Sequence, residues 1–432
     1  MRMMLFVVLQ KLERVDISDI ILKKQHIKGV HMSDNFDRLL DTGKRASIML
    51  NWLTDQIQSK RDELDQTEFY KTYSKAAVVK MPHLTKRAVD NAVEEMEANG
   101  YQFGKRHGGV ATQYAMTIQN ISDIYAHRGI KTYREKRGKA FVIFVVNLKG
   151  GVSKTVSTVT MAHGMRTHPT LLHENLRILV IDLDPQSSST MFLNHHHSIG
   201  TVDNSSAQAM LNKDLTREEI LNEFVKPSIV PGVDIIPASI EDAFIASRWS
   251  SLCSQYLPGM NEHNVLNENI IDKISDDYDF IFVDTGPHLD PFLINTLAAS
   301  HMLMTPVPPP QVDFHSTLKY LTRLPELIQM LEDSGLPSKI IANVGYMSKV
   351  SNKDDHKKTH SFARDVFGAD MLDATLPRLE GFERCGESFD TVISANPQTY
   401  AGSQDALRAA RVAAEDFSRA VFDRIELLRG AA

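Results

Sequence analysis

Six consecutive apolar residues, Phe141-Val142-Ile143-Phe144-Val145-Val146, lead into Lys149-Gly150-Gly151-Val152-Ser153-Lys154-Thr155 and then a helix-compatible stretch from Val156 to Met165. That succession admits few folds. An apolar run of this length suits a strand covered on both faces, and a strand feeding a glycine turn and a helix is the first unit of a parallel α/β sheet. It also forms a cradle for phosphate. Turn N–H groups and the positive end of the helix dipole face an anion, a lysine adds a point charge, and the Thr155 hydroxyl can ligate Mg²⁺. The usual pattern G-x-x-x-x-G-K-[ST] is not met, because Leu148 and Ser153 stand where it wants glycine. What survives is the Gly150-Gly151 pair, Lys154-Thr155, and an additional lysine, Lys149, ahead of the pair. A plain glycine turn with two solvated lysines is the competing reading of the heptapeptide.

The rest of the chain narrows that choice. Candidate strands are Phe141 to Asn147, Arg177 to Asp182, Val233 to Pro237, Phe280 to Asp284, His301 to Pro306, Ile340 to Tyr346 and Met371 to Leu376, with helical stretches between them. The expected fold class is therefore α/β, a doubly wound, mostly parallel sheet over residues 140–432 with ligands at the carboxyl ends of its strands. Gln404 to Arg429 reads as one long helix, free of glycine and proline.

Two further strand ends carry acid. Leu179-Val180-Ile181 ends in Asp182-Leu183-Asp184-Pro185-Gln186, and Phe280-Ile281-Phe282-Val283 ends in Asp284. Phosphoryl transfer to water needs a metal, positive groups for the spreading charge, and one group to orient the attacking water. Thr155 and Asp284 suit the metal, Lys154 and Lys149 the charge, and Asp184 the water. A single carboxylate at a strand end is usually a helix cap; three such ends in this order favour a nucleotide site.

The N-terminal third has a different character. From Gln66 to Ala140 there are 13 Lys and Arg against 7 Asp and Glu, while the whole chain carries −6. Such asymmetry points to a segment that meets a polyanion. Thr67 to Ala77 and Lys86 to Asn99 read as helices, the second N-capped by Thr85 and closed by Gly100. Tyr101 to Phe103 and Gln113 to Ile118 then read as strands joined by a basic loop, which completes a winged helix-turn-helix over residues 66–139. Lys86, Arg87 and Asn91 fall on the early turns of the recognition helix, and Lys105 and Arg106 on the wing, so DNA is the expected ligand. Before it, Leu39, Leu40, Met49, Leu50, Trp52, Leu53 and Ile57 recur at helical spacing from Phe36 to Leu64, interrupted or preceded by Gly43. This N-terminal helix, within residues 32–65, serves as a dimer element or packs on its own chain. Met32 looks like a second start, so residues 1–31 read as an upstream extension.

The heptapeptide with its early lysine resembles the deviant phosphate loop of the ParA/MinD ATPases. Asp182-Leu183-Asp184-Pro185-Gln186 matches the D-x-D-P-Q motif of ParA proteins, and Leu376-Pro377-Arg378 followed by Asn396 to Ser403 is similar to their C-terminal pattern. The likeness spans about residues 32–432 and resembles the large, autoregulating subclass of low-copy plasmids and phage-plasmids. It implies an ATPase using ATP and Mg²⁺, weak alone and stimulated by DNA and a ParB-like centromere-binding partner. It further implies a homodimer whose ATP form binds DNA without sequence preference and whose ADP form binds its own operator. On that likeness Lys149 reaches the phosphates of a partner subunit, Val156 completes the phosphate-binding segment, and Asp182 lies near the metal. Asn343 and Pro377 flank the adenine, and Arg384 couples nucleotide state to DNA binding. Lys349, Lys353, Lys357 and Lys358 either track DNA phosphates or form a solvated loop. Ser153, where most relatives carry glycine, puts the local backbone angles in question.

Other classes fare less well. No stretch approaches the roughly 20 apolar residues of a membrane span. A MinD-like membrane cycle would need a basic amphipathic C-terminus, whereas Phe417 to Arg429 alternates charge signs and suits core or dimer packing. Cluster-bearing reductases of similar loop need interface cysteines, and only Cys253 and Cys385 exist. With no disulfide framework the expected compartment is the cytoplasm, and the DNA binding that the ParA likeness implies places the protein on the nucleoid. A pure transcription repressor would leave Asp184 and Asp284 unexplained.

Overall fold

The computed structural model describes residues 34–63, 68–108, 111–198 and 202–431. The expected extension over residues 1–31 lies outside them. The first element among the described residues is helix α1 (Asp34–Glu63), which runs through Gly43 without a break. A lone glycine costs a helix only about 1 kcal/mol, too little to interrupt 30 residues. Its apolar stripe stays uncovered: Leu39 and Ile48 are each 69% exposed, and Met49, Trp52 and Leu53 are exposed beside them. Among the described side chains of the stripe none is buried on its own chain.

Next come α2 (Lys75–Val78), α3 (Lys86–Ala98), the antiparallel strands β1 (Lys105–Gly108) and β2 (Ala111–Tyr114), and α4 (Ile118–His127). The Thr85 hydroxyl accepts from the Ala88 N–H, and Gly100 takes φ +87° just past the helix, so both helix signals hold. Two expectations shift. The first helix of the motif is four residues long, capped by Ser74, because Tyr73 instead pairs as a strand with Met116. The wing strands begin with the basic residues themselves, since Tyr101 and Phe103 turn inward onto the module's core.

The larger sheet holds eight strands in the order β10-β9-β8-β3-β7-β4-β6-β5. These are β3 (Phe141–Val145), β4 (Ile178–Asp182), β5 (Lys226–Pro227), β6 (Val233–Ile236), β7 (Phe280–Asp284), β8 (Met302–Val307), β9 (Ala342–Val350) and β10 (Leu376–Pro377). All neighbours are parallel except β5 and β6. The chain winds one way from β3 to β6, returns through β7, and then continues the other way to β10. The direction therefore reverses beside β3, where ligands bind in open α/β sheets. Phe141, Ile143 and Val145 point into one core with Phe417, Val421 and Phe422, while Val142 joins the opposite core around Trp249 and Phe292. Of the expected last strand, Met371 to Leu376, only Leu376 falls in β10, which runs on to Pro377; Met371 makes a single bridge to Gly345.

Three more helices matter below: α5 (Lys154–Thr167), α6 (Gln311–Asp333) and, beyond α7 (Asp354–Phe367) and α8 (Glu380–Glu387), the long α9 (Gln404–Ala431). Helix α9 buries Phe417, Phe422 and Ile425 against its own sheet, as the mixed charges of that stretch predict. Among the described residues no helix is long and apolar enough to cross a membrane. The winged module docks on the far end of α5: Leu172 joins its core, and the Tyr73 hydroxyl donates to the Thr167 carbonyl at 3.4 Å.

Candidate nucleotide and DNA site

The phosphate loop hangs on β3 and is braced from both sides. Gly151 takes φ +75° and Ser153 φ +76° with ψ 25°, the left-handed region. A side chain there costs about 1 kcal/mol relative to glycine, so the departure at Ser153 is a mildly strained version of the same loop rather than a different one. Ser153→Gly is expected to leave the urea midpoint unchanged or slightly raised, whereas a β-branched Ser153→Val should lose roughly 1–2 kcal/mol in the same titration. Equal stability of the two variants would remove the backbone argument.

Lys154 opens α5 and is buried; desolvation lowers its pKa, opposed by the carboxylates of Asp284 and Asp184. Asp182 and Asp284 sit side by side in register at the carboxyl ends of β4 and β7. Burial raises both pKa values; for Asp182 the neighbouring Asp284 adds to it, while for Asp284 the Thr155 and Ser189 hydroxyls oppose it. Their oxygens are used differently. Asp182 Oδ2 accepts from the Thr190 N–H and hydroxyl, at 2.8 and 2.7 Å, and Oδ1 from the Asp184 N–H at 3.1 Å. Asp284 Oδ2 accepts from Ser189 at 2.8 Å, but its Oδ1 is buried without a partner. An orphaned carboxylate oxygen next to a threonine hydroxyl fits a hydrated divalent cation, which would also hold Asp284 ionised. Asp284 and Thr155 meet that test; Asp182 is spent on protein donors, tying the Asp184 N–H and the helix Ser188–Leu193 to the end of β4. Asp184 is half-buried, its Oδ1 accepting from the Gln186 N–H at 3.0 Å, near Gly286 at the end of β7.

Asn343 is a correction. It is the second residue of β9, opposite Leu303, and its side chain accepts from Thr305 at 2.8 Å. That puts it at the amino end of the sheet, away from Lys154 and Asp284 at the carboxyl ends, and it cannot flank a base. Taking Tyr346 as the strand's last residue misplaced the end by four positions. Pro377 pairs with Val350 at the carboxyl end of β9. What the sequence reading missed is how the end of β9 braces the phosphate loop, through Ser348, which it did not name, and Lys349, which it assigned to DNA or a solvated loop. The Ser348 hydroxyl donates to the Val152 carbonyl at 3.0 Å, and Lys349, at φ +54°, donates to the Gly151 carbonyl at 2.6 Å. The basic run that begins at Lys349 is the signal that could have located them.

On the winged module Lys86, Arg87, Asn91 and Arg106 are exposed on α3 and the wing. Lys105 is committed to Glu97 at 2.7 Å and lies over the Tyr114 ring. Arg384 is exposed on α8 but paired with Glu380 and Glu387 on the same helix. An exposed helix with a basic start, a basic wing and a phosphate loop on a parallel sheet define a DNA-binding P-loop ATPase-family protein.

The comparisons agree. Residues 46–137 match the ParA helix turn helix domain and residues 140–336 an AAA domain. Plasmid partition protein A of Escherichia coli is 63% identical over 398 residues, which cover 92% of this chain and 100% of that protein. Protein SopA of Escherichia coli K12 is 25% identical, over 61% of this chain and 66% of its own. A solved structure titled Partition Protein superposes with a TM-score of 0.76 and 49% identity, over 92% of this chain and 100% of that one. The chain belongs to the ParA family of plasmid partition proteins.

Proposed function

We propose that the protein is an ATP-driven switch in plasmid segregation, whose two nucleotide states favour different DNA. ATP closes a homodimer that binds DNA without sequence preference, a ParB-like partner accelerates hydrolysis, and the ADP form represses its own operon through Lys86, Arg87, Asn91 and the wing. Residues 32–65 supply the dimer helix, 66–139 the winged module and 140–432 the ATPase. The observation that carries this reading is α5. It begins at the buried Lys154 and ends at Thr167, whose carbonyl accepts from Tyr73 of the winged module. One helix thus joins the phosphate loop to the DNA reader.

Within the site, Gly150 to Val156 hold the phosphates through backbone N–H groups, and Lys154 balances their charge. Thr155 and Asp284 would hold Mg²⁺, which neutralises charge building on the transferred phosphoryl oxygens. Asp184 orients water, and Pro377 covers one face of the base. Lys149 acts on the nucleotide of the partner subunit. The exposed stripe of α1 supports the dimer, because a lone helix with Leu39, Ile48 and Trp52 bare calls for a second surface.

Binding to operator and to random duplex, measured with ADP and with a non-hydrolysed ATP analogue, tests the reading. Preference for the operator with ADP and loss of that preference with the analogue is expected. The same preference under both nucleotides sinks the switch.

A further inference from the structure

We infer that Asn147 and Asp313 form a bracket that holds Lys149 within its own protomer, and that Asp313 thereby slows basal turnover of the dimer. The inference rests on the reading that Lys149 works in the site of a second copy.

The bracket has a buried half and an exposed half. Asn147 is 1% exposed; its Oδ1 accepts from the Lys149 N–H at 2.9 Å, and its Nδ2 donates to the Pro306 carbonyl at 3.0 Å and to Thr317 Oγ1 at 2.8 Å. The Thr317 hydroxyl, fully buried, donates in turn to the Asp313 carbonyl at 3.0 Å. A chain of satisfied, desolvated hydrogen bonds therefore fixes the backbone of Lys149 against the first two turns of α6. On the surface side, Lys149 Nζ lies 3.5 Å from Asp313 Oδ1, the two side chains being 39% and 31% exposed. Because the buried chain sets the spacing of the two Cα atoms, this ion pair is more than a chance meeting of two long side chains. Asp313 is also in the first turn of α6, where the helix dipole favours an anion.

Lys149 cannot stay on Asp313 and reach across a dimer interface at once. Next to Asp313, Val312 is 75% exposed, an apolar side chain open to cover by a second copy. Closing the dimer exchanges one partner of the lysine for another, and the lost pair weighs against the productive arrangement. A half-exposed pair of this kind changes an equilibrium by a factor of about two to five. Asp313 is thus a positioning residue that acts through Lys149.

The test uses the full chain with saturating ATP, without DNA or partner. Asp313→Asn is expected to raise kcat two- to fivefold with KM for ATP within twofold of the parent and an unchanged melting temperature. Asp313→Glu, which keeps the charge, should return kcat to the parent value. In a Lys149→Gln background, which itself should lose most turnover, adding Asp313→Asn should change nothing. A parent or lower kcat in Asp313→Asn overturns the inference alone. So does an equal rise in the Lys149→Gln background, since a merely structural effect would not need the lysine. Full turnover in Lys149→Gln by itself overturns the reading beneath it, and the inference with it.

Discussion

Lys154→Gln is expected to lower ATP turnover by about a thousandfold and to abolish ATP-dependent binding of random DNA. Removing one preorganised donor to developing charge typically costs a factor of 10²–10³, and a full positive charge in a desolvated position weighs at the upper end. Lys154 is 8% exposed, so water cannot take over the lost charge. Glutamine is close in length, and burial already disfavours the charged amine, so the variant should fold at least as well as its parent. Steady-state phosphate release and filter binding to random duplex give the two readouts. Turnover within tenfold of the parent would mean that Lys154 is not the phosphate lysine.

Gly164→Val should be the most damaging single change to stability, losing about 3 kcal/mol in urea unfolding. A Cβ at this position in α5 would stand 2.1 Å from Ser418 Oγ and 2.7 Å from Ser418 Cβ on α9. The hydroxyl is not free to swing away without loss, because it donates to the carbonyls of Thr160 and Ala414 at 3.2 and 2.7 Å. Alanine would regain about 0.5–1 kcal/mol of helix propensity over glycine, but overpacking costs roughly 1–3 kcal/mol, and valine adds branching in the same space. Ser418→Gly should restore part of the stability of Gly164→Ala by clearing both contacts. If Gly164→Val unfolds with its parent, the two helices can part freely and the packing argument is wrong.

Much of this was readable because it depends on local chemistry. The apolar strands, the Thr85 cap, the Gly100 stop and the acids at two strand ends are statements about neighbours in sequence. What could not be read is where a strand ends in three dimensions. The family likeness put Asn343 beside the base, within an expected strand ending at Tyr346, whereas β9 continues through the polar Ser348 and Lys349 to Val350 and leaves Asn343 near its amino end. Those polar residues are kept in the strand by pairing with β10, a contact of distant segments. The role split between Asp182 and Asp284 was equally hidden, since it turns on Thr190 and Ser189, which reach two strands from the start of one short helix, Ser188–Leu193.

The strand order has a consequence for how the chain is made. β3 is flanked by β7 and β8, so the strand that carries the phosphate loop has no sheet partner until the ribosome has passed Asp284. At roughly 5–20 residues per second that is a wait on the order of ten seconds or more. The winged module, whose helices and hairpin lie close in sequence between Tyr73 and His127, needs no such wait beyond the arrival of Leu172. Each nascent copy therefore completes its winged module before its phosphate-loop strand can join the sheet.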